Sequence, residues 1–166
     1  MTDSLLSRFR REVLPLSQRL YRLALAVTLN REEAEDVVQD VMLRLWEKRD
    51  EWDEIGSLEA WCTTATRHRA IDRTRHSREL SLQPADDNRP STLTPHDDAV
   101  AAEGRDTLNK LLQELPEVQR IIFTLREADG RSYGEIAQLL NISDAQVKTY
   151  LLRARRKVRE LFTSQT

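Results

Sequence analysis

The chain has little of several residue types that mark particular classes of protein. Cys62 is the only cysteine, which excludes an internal disulfide and a cysteine-rich zinc site, and we expect it to pack as a small apolar side chain. Only four glycines occur in 166 residues, and none forms the glycine-rich loop that holds phosphates. Aromatic residues make up 5% and charged residues 33%, which is typical of a helical rather than a β-rich protein.

Long apolar runs are also missing. No run approaches the roughly 20 residues that cross a bilayer, and the N-terminus has no basic and then apolar signal segment. We therefore expect a cytoplasmic protein with no direct membrane insertion.

The formal net charge of −2 does not by itself indicate a nucleic-acid ligand, but the charges are unevenly placed. Residues 67–78 and residues 141–166 each carry a net charge of +4, whereas residues 80–107 carry −4. Two basic blocks separated by an acidic stretch suggest two contacts with a polyanion.

The clearest functional pattern begins at Leu115. Pro116 opens a helix whose apolar residues recur at helical spacing, and Asp129-Gly130 ends it. Ser132 then starts a capping box for a short apolar helix.

Asn141-Ile142 forms a tight turn, and Ser143 caps a longer basic helix. A short helix, a tight turn and a basic helix make the helix-turn-helix layout, whose second helix enters the major groove of DNA. An ordinary helical hairpin with a solvated basic face is the alternative. We favour the DNA-binding interpretation because the caps, the turn and the charge all fall where that motif needs them.

The first turns of this basic helix are the part that enters the groove, and Lys148 and Arg153 are its natural readers of guanine acceptors. Arg155 and Arg156 lie further along and should bind phosphates. The residues expected to contact the bases are Gln146, Lys148, Thr149, Leu152 and Arg153.

Three further residues of the same helix, Val147, Leu151 and Ala154, step at helical spacing. They should therefore pack against the short helix instead of facing DNA.

A second informative helix runs from Arg31 to Lys48, with Asn30 as its cap. One face carries a core-facing stripe, namely Ala34, Val37, Val38, Val41, Met42 and Leu45. The opposite face is acidic around an exposed leucine, and it comprises Glu35, Asp36, Gln39, Asp40, Leu43 and Glu47. Such a face suits docking to a basic partner, but a solvated charge run is an equally open interpretation.

Asp36 and Asp40 also raise the question of metal chemistry, because carboxylates four residues apart on a helix could share a divalent cation. No histidine or further carboxylate pair falls at ligand spacing. We therefore expect neither a metal site nor a cofactor.

The second basic block lies on a helix that Ser57 caps and that runs to about Arg75. The preceding segment, Arg49–Ser57, is predicted to be a loop that holds Trp52. Trp61 is expected in the core. Arginines near a helix C-terminus also stabilise the helix dipole, so their charge alone is weak support for DNA binding.

The rest of the chain completes an all-α prediction. Residues 4–14 and 16–29 each show helical periodicity, with Pro15 marking a break or a new first turn. Residues 80–97 are acidic and contain three prolines, so they should form a flexible, extended linker. The predicted domains are residues 1–79 and 98–166, the second containing the helix-turn-helix.

The sequence resembles the extracytoplasmic-function sigma factors of bacterial RNA polymerase. The stretches that carry the resemblance are residues 33–46, residues 61–75 with the motif Ala70-Ile71-Asp72-Arg73, and residues 115–120, 132–137 and 147–155. The resemblance implies a non-enzymatic specificity subunit. Its region two would bind core polymerase and the melted minus-ten element, and its region four would read the minus-thirty-five element.

The resemblance also implies roles for individual residues. Those expected to dock on the β′ clamp helices are Asp36, Gln39, Asp40 and Leu43. Those expected to capture the minus-ten strand are Trp52, Arg67, His68, Asp72 and Arg75. Further implied partners are the polymerase β flap, promoter DNA and a membrane-linked anti-sigma factor. The family usually has asparagine where His68 stands, and apolar or aromatic residues across residues 62–66.

Two other classes stay open at this point. A stand-alone helix-turn-helix regulator would explain the C-terminal half but would leave the acidic helix without a role. A metal-dependent enzyme would use Asp36 and Asp40 but would leave the recognition helix unexplained.

Overall fold

The computed structural model describes residues 2–80 and 110–164, and the side chains of residues 4–76 and 110–164. All regular secondary structure in these ranges is helical, which confirms the all-α prediction. The chain divides into two compact units, Met1–Pro90 and Ser91–Thr166. The predicted linker, apart from residue 80, lies outside the described residues, so its flexibility and the domain boundaries stay predictions.

The N-terminal unit begins with consecutive helical turns around Pro15, which lies in a 3₁₀ turn directly before α2. Proline is tolerated there because the N–H that it lacks would have no partner in a first turn. In order, the elements are α1 (Thr2–Arg8), a π-helical turn (Phe9–Val13), a 3₁₀ turn (Leu14–Leu16), α2 (Ser17–Thr28), α3 (Arg31–Glu47), a 3₁₀ turn (Arg49–Glu51), α4 (Trp52–Ile55) and α5 (Leu58–Leu80).

Helices α2, α3 and α5 pack against one another as a three-helix bundle. The stripe predicted on α3 is confirmed, since five of its six members are buried and Met42 is half-buried. Cys62 of α5 is fully buried, as expected for a small apolar side chain. These contacts leave the opposite face of α3 exposed.

The predicted caps of α3 and α5 are present. The Asn30 side chain accepts a hydrogen bond from the Glu33 backbone N–H at 3.0 Å, and Ser57 Oγ accepts one from the Ala60 N–H at 3.1 Å. Leu29, which ends α2, adopts a left-handed conformation with φ of +53°. The sharp turn between α2 and α3 thus brings the capping side chain to the start of α3.

The structure corrects the prediction for Trp52. The segment around it is not a loop but a 3₁₀ turn followed by α4, and the indole is only 1% exposed. Trp52 Nε1 donates a hydrogen bond to the Leu45 carbonyl at 2.8 Å, and its ring lies 6.0 Å from that of Trp46 and 6.2 Å from that of Phe9. A side chain held in this way belongs to the core and is not available to DNA. Trp61, expected in the core, is instead half-buried.

The C-terminal unit is built around its last helix, α8, which packs against α6 and α7. Residues 110–113 are helical, and the elements that follow are α6 (Glu117–Phe123), a π-helical turn (Thr124–Ala128), α7 (Tyr133–Leu140) and α8 (Asp144–Ser164). Val147, Leu151 and Ala154 are at most 1% exposed, which confirms that this face of α8 is core.

The predicted turns of this unit are also confirmed. Gly130 ends the π-helical turn with φ of +67°, and Asn141 lies in the left-handed region with φ of +56° between α7 and α8. Asparagine tolerates this conformation better than most residues. Ser132 Oγ accepts a hydrogen bond from the Glu135 N–H at 3.1 Å and caps α7.

Within the described residues, we find no helix both long and apolar enough to cross a membrane.

Candidate partner and nucleic-acid interfaces

The face of α3 opposite the core lines a groove of about 310 Å³. Asp36 and Gln39 are exposed, Asp40 is half-buried, and Leu43 is 57% exposed. The groove contains all four residues predicted to dock the polymerase, and it is lined by Asp36, Val37, Gln39, Asp40, Leu43, Arg69 and Arg73.

The second wall of this groove comes from α5. Arg69 Nε lies 2.6 Å from Asp40 Oδ2, and Arg73 Nη1 lies 3.3 Å from Asp36 Oδ2. Both aspartates and both arginines are spaced four residues apart, so the two ion pairs form side by side between antiparallel helices. Sequence reasoning missed these pairs, which partly neutralise the acidic face.

The same ion pairs bear on the metal hypothesis. Each aspartate carboxylate that could share a cation already faces an arginine guanidinium. Among residues 2–80 and 110–164, no group of three or more histidine, cysteine and acidic side chains is placed to hold a metal ion. The described part of the chain thus offers no support for metal chemistry at Asp36 and Asp40.

The basic helix α5 has two polar faces with different surroundings. Arg69 and Arg73 face α3, whereas His68, Asp72 and Arg75 are exposed and follow one another at helical spacing. Arg67 is half-buried beside them. Four of the five residues predicted to bind the minus-ten strand therefore lie on or beside the outer face of α5, and only Trp52 lies elsewhere.

A reciprocal capping box starts α8. Ser143 Oγ accepts a hydrogen bond from the Gln146 N–H at 3.1 Å, and Gln146 Oε1 accepts one from the Ser143 N–H at 2.9 Å. The Gln146 carbonyl oxygen thus serves the helix N-terminus. Its side-chain NH₂ group remains as the donor that could reach a base.

The exposed residues of α8 include every side chain predicted to contact DNA. Thr149 Oγ1 donates back to the Ala145 carbonyl at 3.0 Å, and Leu152 is 58% exposed. The exposed set is Gln146, Lys148, Thr149, Leu152, Arg153, Arg155 and Arg156. Their positions agree with a groove-facing surface, while their individual roles stay predictions.

Two of these cations have partners within the unit. Arg155 forms an ion pair with Glu127, and this hydrogen bond is the main reason that the pKa of Arg155 is raised above its ordinary value. The Lys148 ammonium lies 5.9 Å from the centroid of the Tyr133 ring, and the Arg126 guanidinium lies 4.9 Å from the same centroid. Sequence reasoning did not single out Tyr133, because only the packing of α7 against α8 brings these groups together.

Comparison with known proteins matches each unit to a described family region. Residues 13–79 match Sigma-70 region 2, and residues 105–158 match Sigma-70, region 4. The ECF RNA polymerase sigma factor SigL of Mycobacterium tuberculosis is 32% identical over 143 residues, which cover 84% of this chain and 80% of SigL. The chain belongs to the extracytoplasmic-function sigma factors.

Further matches agree with this membership. The probable RNA polymerase sigma factor RfaY of Xanthomonas campestris is 32% identical over 146 residues, which span 82% of this chain but only 36% of RfaY. Sigma factor RpoE of Bartonella quintana, solved in complex with the anti-sigma factor NepR, superposes with a TM-score of 0.77. That match has 26% identity and covers 93% of this chain and 96% of RpoE. This sigma factor is thus a promoter-specific transcription initiation factor, of a family that is not enzymatic.

Proposed function

We propose that the groove between α3 and α5 is where this sigma factor docks on core RNA polymerase, through the clamp helices of β′. The observation that carries the proposal is that Asp36, Gln39, Asp40 and Leu43 line one groove. An exposed leucine among carboxylates provides an apolar contact inside a charged rim, the usual anatomy of a protein interface. A basic partner helix would complement the carboxylates.

The ion pairs across the groove refine this proposal. Arg69 and Arg73 pair with the carboxylates of Asp40 and Asp36 and favour one orientation of each before docking. A basic partner side chain would then share carboxylates that are already oriented. Exposed ion pairs of this kind contribute only about 0–1 kcal/mol to stability, so docking disturbs them at little cost.

The outer face of α5 is the surface that we assign to the minus-ten element. His68, Asp72 and Arg75 present donors and acceptors to solvent, and Arg67 lies beside them. An unstacked base would bind across this face, and the contacts would offset the few kcal/mol lost in unstacking. Trp52 is not part of this assignment because it is buried.

The C-terminal unit would bind the minus-thirty-five element through α8. Gln146, Thr149, Leu152 and Arg153 lie in its first turns and would face the base edges. Arg156 lies further along, where it would meet a phosphate.

The remaining partners follow from the family and from the RpoE complex. We infer that the β flap contacts the C-terminal unit and that an anti-sigma factor, linked to the membrane, masks one or both units in the absence of a signal. RpoE itself was solved with an anti-sigma factor bound, which supports a partner of this kind. The chain would act in the cytoplasm, where core polymerase is found, and catalysis would belong to the polymerase without any cofactor on this chain.

Run-off transcription with the cognate core polymerase tests the proposal. Addition of the full chain should give promoter-specific transcripts that core alone does not produce. A stand-alone regulator would bind duplex DNA in the absence of core polymerase and would not direct core polymerase to a promoter. A metal-dependent enzyme would show a metal requirement independent of core and promoter.

A further inference from the structure

Tyr133, the first residue of α7, lies at the meeting point of three elements of the C-terminal unit. Arg126 reaches its ring from the π-helical turn, and Lys148 reaches it from α8. Arg155 of α8 forms an ion pair with Glu127 of the π-helical turn. The ring of a half-buried tyrosine thus has two cations beside it at the N-terminus of the first helix of the motif.

The arrangement restricts where Lys148 can point. Arg126 is anchored because its Nη1 donates to the Arg131 carbonyl at 2.8 Å, and the Tyr133 ring is half-buried beside it. A lysine near an aromatic ring is attracted to it, and this favours side-chain conformations that keep the ammonium close to the ring. The ammonium of Lys148 thus lies beside α7.

The geometry of α8 separates Lys148 from the other predicted base reader. With 3.6 residues per turn, Lys148 and Arg153 are about 140° apart around the helix, whereas Lys148 and Arg155 are within about 20°. The buried face is formed by Val147, Leu151 and Ala154. Lys148 and Arg155 thus lie on the flank of α8 that adjoins the core.

The first helix of a helix-turn-helix crosses the DNA backbone, so phosphates would lie close to α7 in such a complex. The positive end of the α7 dipole adds to the charges gathered at Tyr133. We propose that Tyr133 is a positioning residue that holds Lys148 at this end of α7, and that Lys148 binds a DNA phosphate there instead of reading a base. The inference rests on the proposed binding of the minus-thirty-five element by α8.

The experiment uses holoenzyme assembled from the full chain and the cognate core. Wild-type holoenzyme first selects an upstream element from a duplex pool randomised at that position. The affinity for the selected duplex and its single-base variants is then measured at several salt concentrations. The test variants are Lys148→Met, Tyr133→Leu, Tyr133→Phe and the double variant of Lys148→Met with Tyr133→Leu. The matched control is Lys157→Met, made alone and together with Tyr133→Leu, because Lys157 is another exposed lysine of α8.

Lys148→Met should weaken all duplexes by the same factor, with a salt slope lower by about one phosphate contact. Tyr133→Leu should also weaken binding to all duplexes by one common factor and lower the salt slope. Adding Lys148→Met to Tyr133→Leu should then change affinity less than about twofold, because Lys148 no longer has the aromatic ring that positions it. Tyr133→Phe keeps the ring and should bind within about twofold of wild type. Lys157→Met should have the same effect in both backgrounds.

Three results would overturn the inference while leaving the proposed function intact. Lys148→Met could change preference at one base pair, the effects of Lys148→Met and Tyr133→Leu could multiply independently, or Tyr133→Phe could be as damaging as Tyr133→Leu. If Tyr133→Leu does not fold, Tyr133→Met, which fills similar space, replaces it. If wild-type holoenzyme selects no upstream sequence at all, the proposed function of α8 and this inference both fail.

Discussion

Cys62 illustrates how burial alters the chemistry of a single residue. Its side chain is fully buried on α5, and burial, with a smaller effect of Glu59, raises the pKa of its thiol to about 12. The thiolate is the reactive form of cysteine, so the native thiol should be inert at neutral pH.

We therefore expect alkylation of Cys62 by iodoacetamide at pH 8 to be slow in the native protein and fast in denaturant. The raised pKa also has a consequence for stability. The thiol of Cys62 ionises near pH 9 in the unfolded chain and near pH 12 in the folded chain, because the folded state favours the neutral thiol. The stabilisation that this difference gives is fully present below pH 9 and is lost as the pH rises toward 12. Equal alkylation rates in native and denatured protein would contradict the assignment, and Cys62→Ala supplies the background.

Arg153 and Arg156 of α8 should differ in what their loss changes. Arg153 is exposed and is proposed to face the base edges, so Arg153→Ala should cost roughly 1–3 kcal/mol and relax preference at one base pair. Arg156→Ala should weaken all duplexes about equally and lower the salt slope by about one. Holoenzyme binding to single-base variants at several salt concentrations separates the two. If the two patterns were exchanged, α8 would have to be rotated in the groove.

At the scale of elements, the packing of α3 against α5 determines how the polymerase face can be tested. Asp40 is an awkward target because it pairs with Arg69 and also lies 3.5 Å from Arg44 Nε. Asp40→Arg would place three cations together and lower stability as well as binding. Leu43 is the cleaner target because it is largely exposed.

Leu43→Asp should therefore reduce affinity for core polymerase by at least about tenfold, as loss of a central interface contact does, with little change in melting temperature. Leu14→Asp is the matched control, since Leu14 is 44% exposed in the same unit but lies outside the groove. Binding to core is measured by titration with labelled chain, and helicity by circular dichroism. Equal affinities of the two variants would remove the groove from the interface.

The capping box of α8 allows a second test at this scale, because Gln146 is proposed to serve both the helix and the DNA. Gln146→Glu keeps the acceptor for the Ser143 N–H and places a negative charge at the helix N-terminus, so stability should be kept or slightly raised. The variant lacks the amide donor and repels phosphates, so its affinity for the minus-thirty-five duplex should fall. Gln146→Ala should lose both stability and affinity. Full DNA affinity in Gln146→Glu would leave Gln146 with a capping role only.

At the scale of the whole molecule, the two units have separate cores and match separate family regions. The acidic segment predicted to join them lies outside the described residues. Replacing residues 84–95 by a glycine-serine segment of equal length should leave both melting transitions unchanged, because no apolar face is lost. Transcription should fall, since the acidity that keeps the segment extended is gone. A large loss of thermal stability would show that this segment packs against a unit.

Much of the architecture could be predicted from short stretches of sequence. The stripe on α3, the caps at Asn30, Ser57 and Ser143, and the tight turn at Asn141 all agree with expectation. Each of these features depends on residues within about three helical turns of one another, where periodicity and capping rules apply directly.

Contacts between residues that are far apart in sequence could not be predicted and became visible only in the tertiary structure. Trp52 became part of the core because Phe9 and Trp46 surround it, and a polar local sequence concealed this. The ion pair of Asp36 with Arg73 depends on the packing of α3 against α5. The contact of the Lys148 ammonium with the Tyr133 ring likewise depends on the packing of α8 against α7. Local spacing places a side chain on one face of its own helix. Which residue that side chain contacts is decided by the helix that packs against this face, because apolar burial and ion pairing join residues that are far apart in sequence.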